Sequence, residues 1–121
     1  RRLAIWNHYN EELECLEKQE YIRRPVIPDG CTHNAHMFYI KAKDLDTRTR
    51  LITFLKEQGI QAVFHYIPLH TAPAGQKFGR FHGNDIYTTK ESEALVRLPL
   101  FYSLEDAQVK YIIDKVKEFY R

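Results

Sequence analysis

Sulfur is scarce in this sequence, which has two cysteines and one methionine in 121 residues. Two thiols are too few for a disulfide framework. Without a secretion signal, Cys15 in a helical stretch and Cys31 in a loop read as reduced residues of a cytoplasmic protein. Long apolar runs are missing as well. None approaches the roughly 20 residues that span a bilayer, and the start Arg1-Arg2-Leu3-Ala4 has no apolar middle of the kind a signal peptide needs. Neither sign of charge is in excess, since 18 Lys and Arg face 16 Asp and Glu for a net +2. No basic run interleaves with aromatics to follow a phosphate backbone, which argues against a nucleic-acid partner. Repeats and low-complexity segments are absent too, so one domain is expected, large enough to bury roughly two-thirds of its unfolded surface.

Complete catalytic signatures are also lacking. There is no Gly-x-Ser-x-Gly elbow, no phosphate-cradling loop ending in Lys-Ser/Thr, no dinucleotide fingerprint and no evident nucleophile paired with a base. An initiator Met is missing, and the first residues are already in helical register. That combination leads us to expect a piece of a longer protein.

What is present reads as a small α+β layer, helices packed on a short sheet. Leu3, Trp6, Tyr9, Leu13 and Leu16 recur at spacings of three and four, predicting a helix to about Gln19, with no Ser, Thr, Asp or Asn to cap its start. Arg24 to Pro28 is extended and closes in a Pro28-Asp29-Gly30 turn, its two prolines excluding a central strand. Asn34 to Ile40 is aromatic and branched, apolar on both faces, and predicts the first core strand, in mid-sheet. Asp46 is the expected cap of a helix with apolar face Leu51, Ile52 and Leu55, ended by Gly59. Gln61 to Phe64 follows as a strand, and Thr71 to Tyr87 as a long ordered loop. Thr88-Thr89-Lys90-Glu91 matches a capping box for a helix to about Val96, and Leu98 to Phe101 is a brief extended segment that Pro99 places at an edge or a strand end. Ser103 to Asp106 starts a last helix whose stripe is Val109, Ile112, Ile113, Val116, Phe119 and Tyr120.

The candidate site is His65-Tyr66-Ile67-Pro68-Leu69-His70. Two imidazoles and a phenol stand where a strand ends and a loop begins, a common place for functional groups, and Pro68 stiffens the turn between the histidines. His36 would share a strand face with Asn34, Phe38 and Ile40. Zinc is a competing reading, because Cys31, His33 and His36 lie close in sequence and His65 and His70 could converge on them. Against it stand the missing partner thiol and the missing His-Glu-x-x-His pattern, and His33 reads as an ordinary hydrogen-bonded imidazole.

Asn34 to Ile40, the run Arg50 to Gly59, His65 to His70, Phe78-Gly79, Thr88 to Ser92 and Arg97 to Phe101 occur in the order seen in the DegT/DnrJ/EryC1/StrS nucleotide-sugar aminotransferases. The sequence resembles that family over nearly its whole length. The resemblance implies the C-terminal small domain of a fold-type I enzyme that uses pyridoxal 5'-phosphate (PLP) and works as a homodimer. Such an enzyme moves an amino group from glutamate to the 4-keto carbon of a dTDP-linked 6-deoxyhexose. The Schiff-base lysine and most cofactor contacts would lie in a large N-terminal domain, and Lys41, Lys43, Lys56 and Lys77 are not in the family's lysine context. The resemblance therefore assigns this chain no catalytic or cofactor-binding residue. It leaves substrate binding to His65, Tyr66, His70 and His36, with Lys77, Arg80 and Lys90 either adding charge there from the following loop or standing as solvated surface cations. A free-standing sugar-nucleotide-binding or regulatory module is the alternative.

Overall fold

The computed structural model describes residues 1–121 and shows an α+β fold. Its elements in chain order are α1 (Arg2–Glu12), α2 (Glu14–Lys18), β1 (Phe38–Lys41), α3 (Leu45–Glu57), β2 (Val63–Phe64), α4 (Pro73–Phe78), α5 (Thr88–Ala94), β3 (Leu95–Leu98) and α6 (Asp106–Phe119). The three strands run antiparallel in the order β1-β3-β2. No helix is long and apolar enough to cross a membrane.

The first helical run breaks only at Leu13 and buries Ile5, Trp6, Tyr9, Leu13 and Leu16. Leu3, expected in that stripe, is half exposed because the buried face begins at Ile5. No side chain caps the start. Instead the Arg1 guanidinium donates to the Leu104 carbonyl and pairs with Asp106 at 2.8 Å, tying α1 to the start of α6.

The sheet departs from expectation in its order. β1 is an edge strand and begins only at Phe38, because Ala35 takes a left-handed φ of +49° with its methyl buried, which breaks the extended run. The central strand is β3. Residues expected to end a helix pair here with both neighbours, Phe38 opposite Leu98, Ile40 opposite Val96 and Val63 opposite Arg97, and Pro99 stands at the strand end, one of the two places expected for it. Burial decides the switch from helix to strand at Leu95, since Val96 is fully enclosed beside Ile40, and Pro99, which has no N–H to give a ladder, ends the strand.

Caps differ from expectation by one or two residues. Asp44, not Asp46, caps α3 by accepting from the Thr47 N–H at 2.8 Å. Gly59 ends that helix as expected, at φ +74°. Its N–H bonds to the Lys56 carbonyl, and the Ile60 N–H reaches back to Leu55. Glu105 and Gln108 form the capping box of α6, in place of Ser103. Val109, Ile112, Ile113 and Val116 are buried, with Phe119 and Tyr120 half-buried beside them. Helices α1, α3 and α6 cover one face of the sheet, where Trp6 and Tyr9 meet Phe38 at ring distances of 5.4 and 5.1 Å. The resulting core is one continuous cluster of 20 residues with no charged side chain, so this chain encloses a core of its own.

Candidate functional site

β2 delivers the chain to His65, and the backbone then turns sharply. Tyr66 has φ +65°, a conformation that costs an L-residue roughly 1–2 kcal/mol, while its side chain is 70% exposed. The Ser92 hydroxyl of α5 donates to the Tyr66 carbonyl at 2.8 Å and helps hold this turn. His65 and Tyr66 stack at a ring distance of 4.5 Å. His65 Nδ1 lies 3.4 Å from Arg97 Nη1 of β3. A guanidinium only donates, so in this contact Nδ1 is the acceptor and the ring N–H is at Nε2.

His70 is drawn elsewhere. Its Nε2 is 2.6 Å from the Asp85 carboxylate, and its ring packs on Phe81 at 4.3 Å. The same carboxylate accepts from the Thr89 hydroxyl at 2.5 Å and the Thr89 N–H at 3.2 Å. These bonds, the Thr89 hydroxyl foremost, hold the Asp85 carboxyl below the usual carboxylate range. They also replace the expected capping box: Asp85 supplies the oxygen at the start of α5, and Glu91 turns away to pair with Lys41 at 2.6 Å. The segment expected to be loop contains the short helix α4, with Pro73 in its first turn. Gly75 is required there. A β-carbon would sit 1.6 Å from the Leu69 carbonyl oxygen, and backbone cannot yield that far.

His36 does not share a strand face with Phe38 and Ile40, because it precedes the strand and is exposed while they are buried. It lines instead a cavity of about 200 Å³ with Met37, Gln61, Val63, Arg97, Leu98, Pro99 and Leu100. The structure thus gathers His65, Tyr66 and Ser92 at one turn and links them through Arg97 to the cavity bordered by His36. His70 has a separate set of partners. Arg97 and Ser92 are the residues sequence reasoning missed. The available signal was a single cation in the apolar run Leu95-Val96-Arg97-Leu98, where period two sets it apart from its buried neighbours.

Two ligand classes can be tested on this geometry. His33 accepts from the Ala35 N–H at 3.3 Å and packs on Trp6, and no group of three or more His, Cys, Asp or Glu is arranged to hold a metal ion. None of the lysines lines the Arg97 cavity, so these residues offer no amine there for a PLP Schiff base. That cavity by itself does not fit the cofactor.

The family model described as the DegT/DnrJ/EryC1/StrS aminotransferase family matches residues 1–117. A "Pleiotropic regulatory protein" of Geobacillus stearothermophilus is 36% identical over 98 residues, 80% of this chain and 26% of the relative. The crystal structure of the aminotransferase TlmJ from Streptoalloteichus hindustanus superposes on 99% of this chain and 31% of its own, with TM-score 0.82 and 24% identity, a likeness of fold. NtdA from Bacillus subtilis, solved with bound cofactor PMP, covers 98% of this chain and 27% of its own, with TM-score 0.80 and 25% identity. The chain therefore spans about a quarter to a third of the length of these proteins. With the family model matched along almost the whole sequence, the chain belongs to the DegT/DnrJ/EryC1/StrS aminotransferase family.

Proposed function

We propose that these residues are the C-terminal small domain of a longer, PLP-dependent nucleotide-sugar aminotransferase acting in the cytoplasm. Its reaction moves an amino group from glutamate to the 4-keto carbon of dTDP-4-keto-6-deoxyglucose. The stretches Ile27 to Cys31 and Ala62 to His70 resemble the dTDP-4-amino-4,6-dideoxygalactose transaminase of enterobacterial common antigen and lipopolysaccharide synthesis. PLP, when bound, supplies the electron sink for amino transfer, and the protein's share is orientation and electrostatics. The lysine that binds it belongs to the rest of the longer polypeptide, so the 121 residues alone are inactive.

In this reading the domain closes over the sugar nucleotide and presents His65 Nε2–H and the Tyr66 hydroxyl first, then His70 and His36, to sugar hydroxyls and phosphate oxygens. The observation that carries it is the turn at Tyr66. A strained backbone is maintained there for a side chain that is mostly exposed, which suits a group held out for a ligand better than one held for packing. A second observation supports the larger assembly. No residue from 63 to 95 is buried, yet Tyr66, Ile67, Leu69, Phe78, Ile86 and Tyr87 are exposed apolar groups on that segment. Such a surface suits coverage by the remaining polypeptide and by the second copy of a homodimer.

The test is steady-state kinetics of the longer enzyme with glutamate and the dTDP-4-keto sugar. Removing one hydrogen bond in Tyr66→Phe is expected to lower kcat/KM by about two- to tenfold, and His65→Ala by more. Unchanged constants in both variants refute the site. A binding or regulatory module without catalysis is the second reading, favoured by the name of the Geobacillus relative. A lysine-bearing domain in the same reading frame decides for the enzyme.

A further inference from the structure

Arg97 is a half-buried guanidinium without a carboxylate partner. Arg24, also half-buried, donates from its Nε and backbone N–H to Glu17 and from its guanidinium to the Asn10 carbonyl, Arg1 and Arg50 each meet an aspartate, and half-buried Arg48, likewise without an ion pair, lies over the Phe64 ring at 5.0 Å. No ion pair involves Arg97, and its polar side-chain contact is His65 Nδ1. Between buried Val96 and Leu98, its side chain stands on the sheet face away from the core, in one row with Tyr39 and Val63. Arg97 lines the cavity together with His36, Gln61 and the Leu98-Pro99-Leu100 segment. A permanent charge with unspent donors, set in a partly apolar recess, is arranged to receive paired oxygens.

We propose that Arg97, flanked by His65 and His36, binds a small oxyanion, with two oxygens of one carboxylate or one phosphate accepting from the guanidinium. This rests on the aminotransferase reading, in which the amino donor brings a carboxylate and the sugar nucleotide brings phosphate. Charge and space suit such a ligand. Arg97 supplies one fixed positive charge, and the His65 ring lies beside it, 3.4 Å from Nδ1 to the guanidinium. The cavity of about 200 Å³ is open to solvent and can receive the charged end of a ligand. An amino-acid head group or a single phosphate group fits that volume.

The test is an NMR titration of the 121-residue chain, which encloses its own core, with glutamate in one arm and inorganic phosphate in the other, at ionic strength matched with chloride. The Arg97 Nε–H and the His65 ring resonances are followed. Saturable movement of both by at least one anion, but not by chloride, is expected. Arg97→Gln should abolish it, and Arg97→Lys, which keeps charge but loses the fork, should weaken it at least about fivefold. A response to glutamate alone assigns the site to the amino donor, a response to phosphate alone assigns it to the sugar nucleotide, and a response to both makes it a general oxyanion receptor. The proposal is overturned if neither anion moves these resonances, or if Arg97→Gln, with wild-type near-UV circular dichroism, binds as well as the parent. Failure here with intact His65 and Tyr66 effects on turnover removes Arg97 and leaves the functional reading standing. Anion binding with no amino transfer by the longer polypeptide does the reverse.

Discussion

Tyr9→Phe tests how the core supports the site. The Tyr9 ring is fully buried against Phe38, and its hydroxyl donates at 2.9 Å to the carbonyl of Pro99 across 90 residues of sequence. Pro99 and its neighbours Leu98 and Leu100 form a wall of the Arg97 cavity, so one phenol anchors that wall to α1. Burial also pushes the Tyr9 hydroxyl well above its ordinary pKa, which keeps it a neutral donor throughout the working range. Phenylalanine preserves the ring and removes only the hydroxyl. The net loss of a hydrogen bond is about 1 kcal/mol, and leaving the Pro99 carbonyl enclosed without a donor adds about another 1 kcal/mol, for a total near 2 kcal/mol. For a chain of this size that lowers Tm by roughly 8 °C. Urea unfolding followed by tryptophan fluorescence measures it directly, since Trp6 lies in the same core. A loss below about 0.3 kcal/mol would refute the assignment of this bond as the anchor.

Acid should release the 70–89 loop before the core. The folded Asp85 carboxyl is held below its ordinary value, so its bonds stabilise the loop above the unfolded carboxyl pKa of about 3.9 and are lost as pH falls through the lower folded value. The Thr89 amide resonance should follow that titration, and Asp85→Asn should remove it; an unchanged profile in the variant contradicts the network. Gly75→Ala should open the α4 segment locally, seen as faster amide exchange at Gln76 and Gly79, while Val109 to Val116 stay protected. Wild-type exchange rates at those two amides would show that the Leu69 carbonyl does not approach as described.

The long periodic elements were legible in the sequence. α6 and its buried stripe, the helical run from Trp6 to Leu16, and the Gly59 terminus all follow from spacing and from the conformational freedom of one glycine. The central strand was not. Leu95 to Leu98 is short, follows a helix without a linker and becomes a strand through pairing with β1 and β2, which are distant in sequence. The site was half legible. The dense polar turn at His65 and Tyr66 stood out, but its partners Ser92 and Arg97 come from 26 and 32 residues away. His36 was assigned to a strand face by period two, and the left-handed backbone at Ala35 removes that premise. Sequence proximity of His65 and His70 suggested a common site, whereas Asp85 draws His70 into the loop framework.

The most direct test of the account is transfer of ¹⁵N from labelled glutamate to dTDP-4-keto-6-deoxyglucose, comparing the longer polypeptide loaded with PLP and the 121-residue chain under the same conditions. The account predicts labelled amino sugar from the longer polypeptide and none from the chain alone, which should also show no aldimine absorbance with PLP. Amino sugar formed by the 121 residues alone, or no transfer by the longer polypeptide, would contradict it.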